Sequence, residues 1–179
     1  MKRKLVSLLL LGSSLGAFAL EPVTPIPSLN VPRYMGSWYE IAKYPNFFQR
    51  KCASNTVAQY STQPDGTVRV FNRCTQEDGK VIDALGQARQ IGEATSPKLE
   101  VRFAPAWLSF LPMVWGDYWV IDIDTDYQLV AVSEPKREYL WILSRTPEVS
   151  VKAYDELLGR LGKSGFDLTR LEKSKQTKP

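Results

Sequence analysis

Residues 54–74 read SNTVAQYSTQPDGTVRVFNRC, and the architecture can be worked out from this stretch. Two runs of β-favouring residues, 54–62 and 67–74, flank Gln63-Pro64-Asp65-Gly66, where proline presets one turn dihedral and glycine tolerates a left-handed one. Such a unit is an antiparallel hairpin. Outward from it, short runs of alternating polarity recur at about 37–44, 80–90, 98–103, 116–123, 128–133 and 139–145. Turn chemistry separates several of them, in Glu77-Asp78-Gly79, Ala94-Thr95-Ser96-Pro97 and Glu134-Pro135-Lys136-Arg137. Eight strands in sequence order predict an all-β, eight-stranded antiparallel up-and-down β-barrel, because closing the sheet removes its two exposed edges. A barrel of this strand number is about wide enough to hold one small ligand.

The barrel is expected at residues 35–146. Before it, residues 20–34 form a Pro-rich N-terminal arm, since Pro22, Pro25, Pro27 and Pro32 oppose helix and ladder hydrogen bonds and favour an extended path. After strand eight the periodicity changes. Thr146-Pro147 reads as the start of a helix, 147–165, with Tyr154, Leu157, Leu158 and Leu161 on one apolar stripe and Gly162 and Gly165 as its stop. That stripe predicts one C-terminal α-helix packed on the outside of the barrel. Residues 166–179 are expected to form a short edge strand, Phe166 to Leu171, and then a disordered Lys/Gln-rich tail from 173.

Residues 1–19 have the layout of a cleavable secretory signal: Lys2, Arg3 and Lys4, an apolar run from Leu5 to Leu11, and Ala17-Phe18-Ala19 before the cleavage point. The apolar run is far shorter than the roughly 20 residues of a membrane span. Leu20-Glu21-Pro22 offers no cysteine for a lipid, so a soluble, periplasmic or secreted protein that is not lipid-anchored is expected. The signal holds three of the 23 basic residues and none of the 19 acidic ones. The remainder is close to neutral and keeps no basic run, which argues against nucleic acid as a partner. Cys52 and Cys74 lie almost symmetrically about the Pro64-Asp65 turn, with an offset that a bulge absorbs. In an oxidising compartment they are expected to form a cross-strand disulfide near the barrel mouth. The chain has no histidine, which removes the commonest general base, the usual haem ligand and most zinc sites. With no metal-spaced cluster and no glycine-rich phosphate loop either, neither catalysis nor a metal or other cofactor is expected.

Three separated motifs then coincide: Gly36-Ser37-Trp38-Tyr39-Glu40 on the first strand, Thr125-Asp126-Tyr127 between strands six and seven, and Tyr139-Leu140-Trp141-Ile142-Leu143-Ser144-Arg145-Thr146-Pro147 at the end of strand eight. Together they resemble the lipocalins, most closely the branch containing apolipoprotein D and the bacterial lipocalins, over essentially the whole chain after the signal. The resemblance implies a non-enzymatic carrier for a small hydrophobic ligand, a fatty acid or lysophospholipid in the bacterial lipocalins, with a role in envelope maintenance. It leaves open whether the protein is a monomer or a homodimer. A Cys52–Cys74 bridge would depart from the pattern of the apolipoprotein D-like chains.

Alternation of strand direction puts the turns 63–66, 94–97 and 124–127 at the floor and the loops 45–53, 75–79, 104–115 and 134–138 at the mouth. Strand eight then ends at the floor, bringing Arg145 beside Trp38, where a guanidinium on an indole gains about 0.5 to 2 kcal/mol. Gly36, Trp38, Thr125, Asp126, Tyr127 and Arg145 are therefore read as a structural signature rather than a binding site. With Trp38 and Arg145 inward, period two turns Glu40 and Ala42 inward on strand one and Tyr139, Trp141 and Leu143 inward on strand eight. Strand two resembles the family at 57–61, which turns Thr56, Ala58 and Tyr60 inward, and strand six contributes Tyr118 and Val120. These residues predict an apolar, aromatic cavity with a few hydroxyls and one carboxylate.

The mouth loop 104–115 carries no charge and contains Trp107, Leu108, Phe110, Leu111 and Trp115. It either folds inward as a lid or presents an apolar patch to a membrane, a protein partner or a second copy. The alternative function is accordingly a membrane- or protein-interaction module acting through this loop, including transient membrane contact.

Overall fold

The computed structural model describes residues 21–177. Eight strands run in chain order: β1 (Gly36–Lys43), β2 (Ser54–Thr62), β3 (Val68–Thr75), β4 (Val81–Gln90), β5 (Lys98–Arg102), β6 (Gly116–Ile123), β7 (Leu129–Ser133) and β8 (Leu140–Ser144). Each pairs antiparallel with its successor, and β1 pairs with both β2 and β8, so the sheet closes into the eight-stranded barrel. The turns are held as their residues require. Asp65 accepts from Thr67 N, Asp78 accepts from Lys80 N, and the Asp124 carboxylate accepts from the amides of Asp126, Gln128 and Leu129. Gly66 and Gly79 take positive φ at their turns.

Three irregularities interrupt the ladders, at Ile41 in β1, between Ser54 and Val57 in β2, and at Ile121 in β6. A bulge inserts one residue and shifts the inward-outward alternation beyond it. The β2 irregularity absorbs the offset between Cys52 and Cys74, whose disulfide spans 5.5 Å between Cα atoms. Closing this loop contributes about 3 kcal/mol.

Two apolar clusters flank the barrel wall. The inner one includes Trp38, Val70, Val120, Val130, Val132 and Leu143. The outer one joins Ala42, Leu129, Ala131, Leu140 and Ile142 to Leu157 and Leu161 of helix α2 (Val151–Lys163). β7 is buried on both faces for this reason. Each of those helix leucines, fully buried, stabilises the docked helix by about 1.5 to 3 kcal/mol. Arg160 adds a two-pronged ion pair to Asp122 of β6.

Several boundaries differ from the sequence reading. The N-terminal arm is not extended throughout: Val31–Tyr34 forms a short helix, α1, with Asn30 as its cap and Pro32 in its first turn, where a missing N–H costs nothing. Helix α2 begins at Val151 rather than Pro147, because Ser150 supplies the side-chain cap to Ala153 N. It continues through Gly162, and Gly165, at φ +80°, follows its end. The expected strand 166–171 is replaced by a 3-10 turn, Leu168–Arg170, and the strand comes later, as β9 (Glu172–Lys173) on β1. The described part of the tail, residues 173–177, is not free but bonded to the barrel. Its Lys175 carbonyl accepts from Asn55 N, and Thr177 N donates to Asn55 Oδ1. The expected signal, residues 1–19, lies outside the described residues.

Candidate ligand-binding cavity

The barrel encloses a cavity of about 610 Å³ that opens at the mouth. A second hollow of about 630 Å³ lies outside the barrel between α2 and the 123–128 turn, more open to solvent and rimmed by Asp122, Asp124 and Arg160. The interior one has the position and lining of a ligand site. Its walls are Ala58 and Thr56 of β2, Val68, Val70 and Asn72 of β3, Ala88 of β4, Leu99 and Val101 of β5, Tyr118 of β6, and Trp141 and Leu143 of β8. Among the described residues no group of three or more His, Cys, Asp or Glu side chains is arranged to hold a metal ion.

Of the nine residues expected to line the cavity, Glu40, Thr56, Ala58, Tyr60, Tyr118, Tyr139 and Trp141 do so. Ala42 does not. The extra residue at Ile41 turns Ala42 to the outer face, where it packs in the cluster beneath α2. Val120 faces inward but is fully buried in the packed inner cluster below the cavity and does not line it.

Glu40 is 2 % exposed, and its carboxylate is satisfied from three directions: Lys43 Nζ at 3.0 Å, Gln49 Nε2, and the Ser174 hydroxyl of the tail. Gln49 in turn accepts from Trp141 Nε1. The carboxylate is thus tied to its own chain and is not a free polar anchor. Lower in the barrel, Tyr34, Tyr60 and Tyr118 converge, with Tyr118 Oη 2.6 Å from Tyr34 Oη and 3.0 Å from Tyr60 Oη. Burial pushes all three phenols up, Tyr60 to about 12, so each keeps its proton at ordinary pH.

Sequence reasoning missed Tyr34, Gln49, Asn72 and Val70, and it named Trp115 only as part of the mouth loop. Period two along β3 carries the signal for Val70 and Asn72, which share a face with Val68. Nothing local marks Tyr34, because the turn of α1 and the path of the arm place it.

The floor is sealed by the arm. Leu29 N donates to Thr95 O, Asn30 N to Tyr127 Oη, and Arg33 to Thr125 O. Arg145 stacks 3.8 Å above the Trp38 ring centroid and donates to the carbonyls of Ser37, Arg33 and Tyr127. Trp38 Nε1 donates to Tyr34 O. Gly36 sits at φ +96° with its Cα against Arg145, where an added Cβ would lie 3.2 Å from the guanidinium. Thr125 and Asp126 act through their backbone, and Tyr127 adds to its carbonyl the hydroxyl and, under Arg33, the ring.

At the mouth, the 104–115 loop divides its roles. Trp115 borders the cavity, donates to Ser109 O and lies against the guanidiniums of Arg89 and Arg102, while Leu108 and Leu111 are half-buried. The tip turns outward: Trp107 is 72 % exposed and Phe110 73 %. Phe47 and Phe48, in the 45–53 loop, are about as exposed.

The sequence matches the lipocalin-like domain over residues 29–176. It is 42 % identical to temperature-induced lipocalin-1 of Arabidopsis thaliana, over 85 % of this chain and 82 % of that protein. It is 36 % identical to the outer membrane lipoprotein Blc of Escherichia coli K12, over 83 % of this chain and 80 % of that protein. Among solved structures, insecticyanin from the tobacco hornworm Manduca sexta superposes with a TM-score of 0.67 at 18 % identity, covering 89 % of this chain and 87 % of that one.

Proposed function

The chain belongs to the lipocalin family, a family that binds small hydrophobic ligands and does not transform them, and from that premise we propose that it carries or stores a fatty acid or lysophospholipid. The observation that carries this reading is the cavity of about 610 Å³, apolar over most of its wall and within the usual size of a small-molecule site. Burial of roughly ten methylenes supplies about 8 kcal/mol before ordering costs, enough for micromolar affinity. A periplasmic or secreted location with a part in envelope maintenance is supported by the disulfide and by a relative named as an outer membrane lipoprotein. A second reading, contact with a membrane surface through the mouth, is favoured by the exposed Trp107, Phe110, Phe47 and Phe48.

The test is native mass spectrometry of protein purified from its own compartment, with bound small molecules extracted and identified. One single-chain lipid per barrel is the expected result, and Trp141→Ala is expected to weaken lipid uptake about tenfold while the fold persists. Protein that is empty as isolated and takes up no lipid on titration overturns the carrier reading.

A further inference from the structure

The hydroxyls of Tyr34, Tyr118 and Tyr60 form one linear chain inside the cavity, with Tyr118 in the middle. Among the described residues neither Tyr34 Oη nor Tyr60 Oη has another hydrogen-bond partner. Each hydroxyl brings one proton and can accept two. Two bridges between three hydroxyls use two protons. In every arrangement of the bridges, one O–H is therefore left pointing at no acceptor. A buried donor without an acceptor is unfavourable, and a ligand oxygen placed there removes that cost.

The surrounding charge decides what kind of oxygen it is. The cavity is bordered by four carboxylates, Glu40, Asp117, Glu134 and Glu138, and by one cation, Lys136, which belongs to the mouth loop between β7 and β8. Arg145, whose charge reaches Tyr34, is already surrounded by three carbonyls. A carboxylate carried down to the tyrosines would lose its water and gain no free cation. On the β3 wall, Asn72 Oδ1 is also buried without a partner, an uncharged acceptor that offers a carboxylate no compensation.

We propose that the deep end of the cavity is a subsite for an uncharged oxygen acceptor, a carbonyl, ester or ether oxygen on the buried end of the ligand, with Tyr34, Tyr60 and Tyr118 as the donor. The subsite rests on the carrier reading and narrows it to hydrophobes that bear oxygen at the end remote from the mouth.

The experiment compares a saturated fatty acid with its analogue of matched length carrying a ketone next to the terminal methyl, isotope-labelled at the ketone carbon. Binding is measured for both, and the ketone stretch of the bound analogue is read by isotope-edited infrared spectroscopy. In the wild type the stretch is expected below its frequency in hexane. In Tyr34→Phe/Tyr60→Phe/Tyr118→Phe it is expected to return towards the hexane value, with the ketone-to-parent affinity ratio falling about tenfold. Tyr118→Phe alone breaks both bridges and frees a proton on each remaining tyrosine, so there the stretch stays shifted; this variant carries the test if the triple one fails to fold. A stretch at the hexane position in the wild type, or one shifted equally in the triple variant, overturns the subsite while parent binding leaves the carrier reading standing. Failure of both probes to bind overturns the two together.

Discussion

Arg145 holds four things at once, the Trp38 indole and the carbonyls of Ser37, Arg33 and Tyr127, and only a planar fork of donors reaches all of them. Lysine in its place keeps the charge but loses the stacking surface and most of the fork. Arg145→Lys is expected to lower stability by about 2 kcal/mol in urea unfolding, with lipid affinity little changed because the cavity walls lie above the floor. An unfolding midpoint equal to wild type would show that the arm alone closes the floor. The Trp38–Arg145 pairing was legible in the sequence, since two motifs far apart in the chain converge once strand direction is counted. Ala42 was not legible. Its orientation depends on the single extra residue at Ile41, and a bulge leaves no mark in hydrophobic periodicity when both neighbouring faces are buried. The partners of Glu40 were hidden for a different reason: Gln49 and Ser174 arrive from a loop and from the tail, at sequence distances that no local pattern spans.

The C-terminal strap is the element that departs most from expectation. β1 pairs with β2 only from Gly36 to Tyr39; beyond that the Glu40 and Thr56 carbonyls both accept from Gln176 Nε2, and the Asn55 amide donates to Lys175 O. Residues 172–177 therefore fill a gap where two strands of the barrel part. A polar, lysine-rich segment has too little apolar surface to order itself, which is why it reads as a disordered tail. Backbone groups left unpaired by the parted strands supply the order instead, and they are invisible in a sequence. Deleting residues 172–179 is expected to lower stability by about 1 to 3 kcal/mol and to speed amide exchange at the upper ends of β1 and β2. Unchanged exchange there would mean that the strands close on each other without the strap. The helix shows the same division: the stripe of Leu157 and Leu161 was readable, while its start depended on whether Pro147 or Ser150 opens it, and the cap hydrogen bond decides for Ser150.

Taken whole, the molecule is polarised along the barrel axis. The floor is closed by the arm, Trp38 and Arg145, and the opposite end combines the cavity opening with the exposed rings of Phe47, Phe48, Trp107 and Phe110. A ligand that leaves through the mouth passes among these rings, so the apolar patch and the opening share one surface. Without the expected signal the charges nearly cancel, 20 basic against 19 acidic, so any attraction of the mouth to a bilayer comes from apolar area rather than from net charge. Cosedimentation with neutral phosphatidylcholine vesicles is then expected to be weak, to persist at high salt, and to fall about tenfold in Trp107→Ser/Phe110→Ser. The same variant should keep its lipid affinity in solution, since neither side chain lines the cavity. Loss of vesicle binding at high salt would assign the contact to Arg50 and Lys51 beside Phe47 and Phe48. Absence of vesicle binding in the wild type would leave the exposed rings to a protein surface, and equal binding by the variant would shift the contact to the 45–53 loop.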